Sequence, residues 1–268
     1  MTEVVEVSQR TRAWLDVKNG IAGYRVWMAL AQYEIRQRYR RSILGPFWIT
    51  ITMMVLILGM GPLYGSLFGL SLDEFIPFLA MGVISWGLIS SLILEGCSTF
   101  INAENLVRSV KLPFTVHVMR VLYRNLIVFA HNLVAFIPFM LYLGIEPHWR
   151  WFAIFPGVAL VVMAAFPMIF LLGTLCTRFR DLQQIIASIV QLAFFLTPIF
   201  WKPELLKGRI YFAEYNPFHL LLEVIRGPIV DDLPSAATYG KVVAMIVLLN
   251  ILAVPVYVRY RRRLAFWV

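Results

Sequence analysis

The run from Phe47 to Phe68 contains no charged residue, and it follows directly on Arg36, Arg38, Arg40 and Arg41 and the helix-breaking pair Gly45-Pro46. Crossing about 30 Å of hydrocarbon takes roughly 20 apolar residues in helical form. In lipid every peptide group must be satisfied within the protein, so a continuous run of this length folds as a membrane-spanning helix. The arginines cannot follow it into hydrocarbon and therefore mark a membrane face. By the positive-inside rule that face is cytoplasmic.

Further runs of the same kind follow, and six spans are expected: Phe47–Phe68, Phe75–Leu94, Leu126–Leu143, Trp151–Leu175, Ile185–Trp201 and Val242–Val258. The chain has 268 residues, 60% of them apolar, against about 45–50% in a soluble domain. The fold class is an all-α polytopic membrane protein. With both termini on the cytoplasmic side, only Arg150, Lys202, Lys207, Arg209, Arg226 and Lys241 of the 24 Lys and Arg fall outside. That asymmetry orients the chain. The formal charge of +9 would suggest nucleic acid in a soluble protein. Here the basic residues cluster between apolar runs, so membrane topology and anionic lipid account for them and no nucleic-acid partner is expected.

Residues 1–23 read as a cytoplasmic arm, flexible or partner-bound, because Met1 to Asn19 shows no clear periodicity. Residues 24–41 read as an amphipathic interfacial helix. Tyr24, Trp27, Met28, Ala31, Ile35 and Tyr39 share one face, with Arg25, Gln32, Arg36 and Arg40 opposite and Arg38 intruding on the apolar side. Residues 42–268 form the membrane domain. Between spans two and three, Asn102 to Pro113 is polar and basic, with a short helix expected over Ala103–Arg108. A tight turn, Thr177-Arg178-Phe179-Arg180-Asp181, joins spans four and five. The outer segment Lys202 to Lys241 is punctuated by four prolines and should hold two short re-entrant or interfacial helices, divided near Asn216-Pro217.

Catalytic signatures are missing. There is no G-x-x-x-x-G-K-[ST] phosphate loop, no H-E-x-x-H, and no Cys/His cluster with metal spacing. Cys97 and Cys176 read as small buried hydrophobes. His117, His131, His148 and His219 are scattered singly, as packing or interfacial residues. Glu95, near the cytoplasmic end of span two, is the one obvious intramembrane carboxylate. It is either functional or snorkels to the interface. One marginal acid gives little support to ion coupling. Among the aromatics, Trp48, Trp149, Trp151, Trp201 and Trp267 suit an interfacial belt. Tyr64, Trp86, Phe194, Phe195 and Phe200 can be lipid-facing packing or, alternatively, a channel wall that stacks on sugar rings.

Four motifs, in this order, carry a resemblance: Arg38-Tyr-Arg-Arg-Ser-Ile-Leu-Gly-Pro-Phe-Trp48 before span one, Phe179-Arg180-Asp181-Leu182 before span five, Thr197-Pro198-Ile199-Phe200-Trp201 at its end, and Asn216-Pro217 in the outer segment. From about residue 24 onward the chain resembles the membrane subunit of ABC-2-type exporters of cell-surface polysaccharides, the group of O-antigen, capsule and teichoic acid permeases. The resemblance implies a homodimer in the bacterial inner membrane, paired with two copies of a separate ATPase subunit that holds ATP and Mg. No cofactor is implied for this chain itself. It further implies that Tyr24–Arg41 and the Asn102–Pro113 loop contact the ATPase, the latter through Glu104, Asn105, Leu106, Val107, Arg108 and Lys111. Short outer helices within Lys202–Ile229 would shape the exit.

The expected function is ATP-driven export of a lipid-linked polysaccharide, O-antigen first, with capsule or teichoic acid as alternatives. A lipid-linked-sugar transferase would need convergent acids or a metal motif. The carrier lipid presents a phosphate at headgroup level, where Arg38, Arg40 and Arg41 should lie. Guanidinium forks can bind its oxygens in pairs, or the arginines can serve as topological anchors alone.

Overall fold

The computed structural model describes residues 8–38, 40, 42–45, 47–203, 211–230 and 233–268. Tyr39, Arg41, Pro46, Lys207 and Arg209, all used in the sequence argument, lie outside the described residues. Helix is the only regular structure among the described residues, and the chain is a multi-pass membrane protein.

Five helical units are long and apolar enough to cross a membrane. They are α3 (Phe47–Phe68), α4 (Leu72–Ser98), α6 (Phe114–Val134) continued by α7 (Ile137–Leu143), α8 (Ile154–Arg178, led in by a 3-10 turn at Trp149–Ala153), and α12 (Ala236–Trp267). The expected fifth span is α9 (Leu182–Leu196), whose 15 residues rise only about 22 Å at 1.5 Å each. By length alone it stops short of a full crossing.

The bundle is organised around α4. Its most apolar window is 83% buried, against 17% for α3, and it packs on α3, α6, α8, α9 and α11 (Pro217–Val230). A helix apolar on all sides belongs in such a central position. Close approach is achieved where side chains are absent. A Cβ on Gly82 would lie 2.5 Å from the Ile199 carbonyl oxygen, and one on Gly157 of α8 would collide with that of Val224 in α11. Gly82 therefore lets the turn after α9 close over α4, and Gly157 lets α11 lie against α8. Cys97 of α4 and Cys176 of α8 are free and buried.

Span three begins twelve residues before the expected Leu126, so Arg120 and Arg124 are helix residues and not loop charges. Pro138, in the first turn of α7, cannot donate a backbone bond and marks the break from α6. Among the described residues the outer segment holds α10 (Tyr211–Glu214) and α11, divided near Asn216-Pro217 as expected. At about 21 Å the 14-residue α11 is too short to cross, and it packs among α4, α8 and α12.

At the arginine-bearing end, α1 (Gln9–Ala22) packs on α6 and α12, and α2 (Tyr24–Arg38) packs on α6. Where the sequence reads as a tail, the chain is thus a folded helix. Ser8 caps it, its hydroxyl accepting from the Thr11 amide at 3.2 Å. The buried stripe of α1 is Ala13, Asp16 and Gly20: helical spacing made of small and charged residues, which hydrophobic periodicity does not register.

Candidate functional site

The arginine-bearing end is held by two groups of charges. In the first, Asp16 of α1 is 4% exposed and accepts from the Phe114 and Thr115 amides (both 3.1 Å), the Thr115 hydroxyl (2.8 Å), the Tyr257 hydroxyl (2.8 Å) and the Arg261 guanidinium (2.9 Å). The carboxylate fixes α1 to the start of α6 and to α12. In the second group, Glu34 of α2 pairs with Arg120 at 2.9 Å and with Arg124. Arg124 also donates to Glu95 at 2.7 Å, and the Asn125 amide donates to the same carboxylate at 2.5 Å. Glu95 therefore does not merely snorkel. It closes a network that joins α2, α4 and α6 inside an otherwise apolar bundle, where an unpaired charge would be costly.

The phosphate-binding candidates sit at the edge of this network. Arg38 ends α2 with its side chain 58% exposed, and its guanidinium is 4.0 Å from Glu95. Arg40 is exposed, and Arg41 lies outside the described residues. Along α2 the inner face carries Trp27, Met28, Ala31, Glu34 and Ile35, with Trp27 edge-on to Tyr123 of α6 at 5.4 Å. Tyr24, assigned to the apolar face, is instead 51% exposed. The expected apolar face is thus mostly a protein contact, and it hides the acid that neutralises Arg120 and Arg124.

The expected short helix in the loop after span two is α5 (Glu104–Ser109). Glu104 pairs with Arg108 at 2.8 Å, and Arg108 also donates to the main-chain oxygen of Val268 at 2.8 Å. Val107 turns inward against the core, whereas Leu106 is half-buried and Asn105, Arg108 and Lys111 are exposed. An exposed polar face therefore rests on an apolar footing and is tied to the end of α12.

The five aromatic candidates form one continuous series of ring contacts across α3, α4 and α9. Tyr64 meets Phe200 at 5.3 Å, Phe200 meets Phe194 at 5.7 Å, and Phe194 meets Trp86 at 5.8 Å and Phe195 at 5.3 Å. Their exposures differ. Trp86 is 7% exposed, covered by Phe194 and Phe218, whereas Phe195 is 58% exposed.

Phe195 continues a stripe that the sequence argument missed. Gln184, Ser188, Gln191 and Phe195 recur at four- and three-residue steps along α9 and all are exposed, so they share one face. The neighbouring exposed face, Ile185, Ile189, Leu192 and Leu196, is wholly apolar. One face thus suits lipid, and the other suits water or a polar partner. Polar residues at helical spacing within an apolar run were the available signal.

At the far end, Arg226 of α11 is 2% exposed. It donates to the Pro198 carbonyl at 2.7 Å and to Glu223 at 3.1 Å, and it stacks on Phe78 at 4.2 Å. Asn216 accepts from the Phe218 amide at 2.9 Å and donates to the Thr197 hydroxyl at 3.1 Å. The Thr-Pro-Ile-Phe and Asn-Pro motifs are therefore one structural unit that fastens the end of α9 to α11. Arg226, counted above on the outer side, is a buried part of that unit.

Comparison with known proteins bears on what this arrangement serves. A profile of the ABC-2 type transporter family matches residues 25–230. The chain is 30% identical over 183 residues to the O-antigen export system permease protein RfbA of Myxococcus xanthus, covering 65% of this chain and 67% of that protein. Two Klebsiella pneumoniae proteins of the same name are 20% and 22% identical, over 71% of this chain and 74% of each relative. With the profile spanning most of its length, the chain belongs to the ABC-2 type transporter family.

Proposed function

We propose that this chain is the permease subunit of an ATP-driven exporter that carries a lipid-linked O-antigen polysaccharide across the bacterial inner membrane. It works as a homodimer with two copies of a separate ATP-hydrolysing subunit, and both termini are cytoplasmic. Family membership and the printed names of the relatives support the transport role and its substrate class. The observation that carries the reading within the molecule is the α9 face of Gln184, Ser188, Gln191 and Phe195. A sugar polymer needs hydrogen-bonding groups that exchange readily along its path and aromatic faces that accept sugar C–H surfaces. This stripe offers both, and its Phe195 is joined through Phe194 to Phe200 and Tyr64.

In this reading α5 receives the motion of the ATPase, with Glu104, Asn105, Leu106, Val107, Arg108 and Lys111 as its contact set. The footing of Val107 and the tie from Arg108 to Val268 would pass that motion to the bundle. Arg38, Arg40 and Arg41 hold the phosphate of the carrier lipid at headgroup level. Trp86, being buried, backs the aromatic wall and does not face the path.

The test is export in cells. Inactivating the companion ATPase should leave lipid-linked polysaccharide on the cytoplasmic side while the ion gradients are unchanged. Export that persists without ATP hydrolysis, or stops only when an ion gradient collapses, overturns the reading.

A further inference from the structure

Between α1, α8 and α12 lies a groove of about 910 Å³ whose walls are apolar. Ala13, Val17, Phe170, Ala253 and Val258 line it, and Arg10, Trp14 and Arg259 stand among its lining residues with exposed side chains. Of the site residues described above, Tyr257 alone belongs to it. Arg10 and Arg259 form no ion pair among the described residues, in contrast to Arg120, Arg124 and Arg261, each of which has a carboxylate. Two guanidiniums without a carboxylate partner therefore stand at the rim of an apolar groove.

We propose that this groove is a binding site for an anionic membrane phospholipid, one acyl chain lying along Phe170, Ala253 and Val258 and the phosphate held by Arg10 and Arg259. The complementarity is twofold: hydrocarbon against the walls and negative charge against the unpaired arginines. Basic pockets between membrane helices bind anionic head groups in this way, and an exposed Trp14 suits the level where tail meets headgroup. Because α1 forms one wall, the bound lipid would hold α1 against α8 and α12 alongside the Asp16 contacts. The proposal does not depend on the identity of the exported polymer.

The test uses the full-length chain in nanodiscs of equal phosphatidylglycerol and phosphatidylcholine, with retained lipid read by native mass spectrometry after release. Wild type should retain phosphatidylglycerol preferentially, by about fivefold for each arginine at the surface. The double variant Arg10→Gln/Arg259→Gln should bring that preference close to one. Val254→Trp, at a position 53% exposed on the groove wall, should fill the groove and reduce retention of both lipids. Equal retention of the two lipids by wild type overturns the proposal without any variant. So does an undiminished preference in the double variant, or a polyprenyl phosphate retained in place of phospholipid. A cross-link between two copies through a cysteine at position 254 would assign the groove to a second chain. A rise in bound lipid on deleting residues 1–7 would assign it to that segment, and either result overturns the proposal.

Discussion

Asp16 and Arg261 are 245 residues apart in the chain and meet at 2.9 Å, which makes the first described helix and the last one parts of a single assembly. Removing one member of a buried ion pair strands the other and typically costs about 3–5 kcal/mol. Asp16→Ala should lose stability on that scale, because four further donors lose their acceptor with it. Tyr257→Phe removes one hydrogen bond and should cost about 1 kcal/mol. Melting in detergent, with limited proteolysis within α1, reads both. Wild-type melting and protease resistance in Asp16→Ala would show that α1 is held by something else.

The Glu34–Arg124–Glu95 network predicts a separation between two arginines. Arg124→Met leaves Glu34 to Arg120 and Glu95 to Asn125, both carboxylates being partly exposed, and losing the two charge-assisted bonds to Arg124 should lower stability by about 1.5–3 kcal/mol. Arg38, 58% exposed and 4.0 Å from Glu95, makes a pair worth about 0–1 kcal/mol, so Arg38→Met should melt close to wild type. If Arg38 and Arg40 hold the carrier phosphate, Arg→Lys at one of them should still lower export, since lysine offers no bidentate fork. Full export by both lysine variants and by their combination would leave the cluster as a topological anchor.

The proposed ATPase contact on α5 gives a third prediction. Charge reversal at Glu104, or bulk introduced at the exposed Asn105, should reduce substrate-stimulated ATP hydrolysis or recovery of the complex while membrane insertion is unchanged. Val107 faces inward, so Val107→Asp should instead disturb folding. Loss of ATPase coupling from Val107→Asp, with Glu104 and Asn105 variants silent, would move the contact off α5.

How far the sequence showed these features depended on what made each one visible. The expected limits of span one coincide with those of α3, because the boundary is set by charge and by Gly-Pro, both local. Span three was cut twelve residues short. Arg120 and Arg124 read as loop charges until Glu34 and Glu95 are brought beside them, and that pairing is tertiary. Helix α1 was missed for a related reason: its buried stripe contains Asp16, whose five donors come from α6 and α12. The residues named in the loop after span two share one short helix and its flank, and the five rings touch in series. Which rings are exposed depends on packing: the polar steps Gln184, Ser188 and Gln191 mark the face of Phe195, whereas nothing local marks Trp86 as buried.

That difference between Trp86 and Phe195 supplies the last prediction. Trp86 is 7% exposed, so Trp86→Ala opens a cavity and should cost about 3–5 kcal/mol, lowering the amount of folded protein before any effect on transport. Phe195 is 58% exposed, and Phe195→Leu should leave stability near wild type. If Phe195 stacks on sugar, export should fall in Phe195→Leu and recover in Phe195→Tyr or Phe195→Trp. The polar side of the stripe is tested by Gln191→Leu, which would suit lipid better than glutamine does and so should not destabilise the helix. Reduced export with unchanged melting is the expected result at both positions, measured as polysaccharide reaching the cell surface per folded permease. Were Phe195→Leu and Gln191→Leu both to export at the wild-type level, this face of α9 would be a lipid or packing surface, and the polymer would have to cross along another.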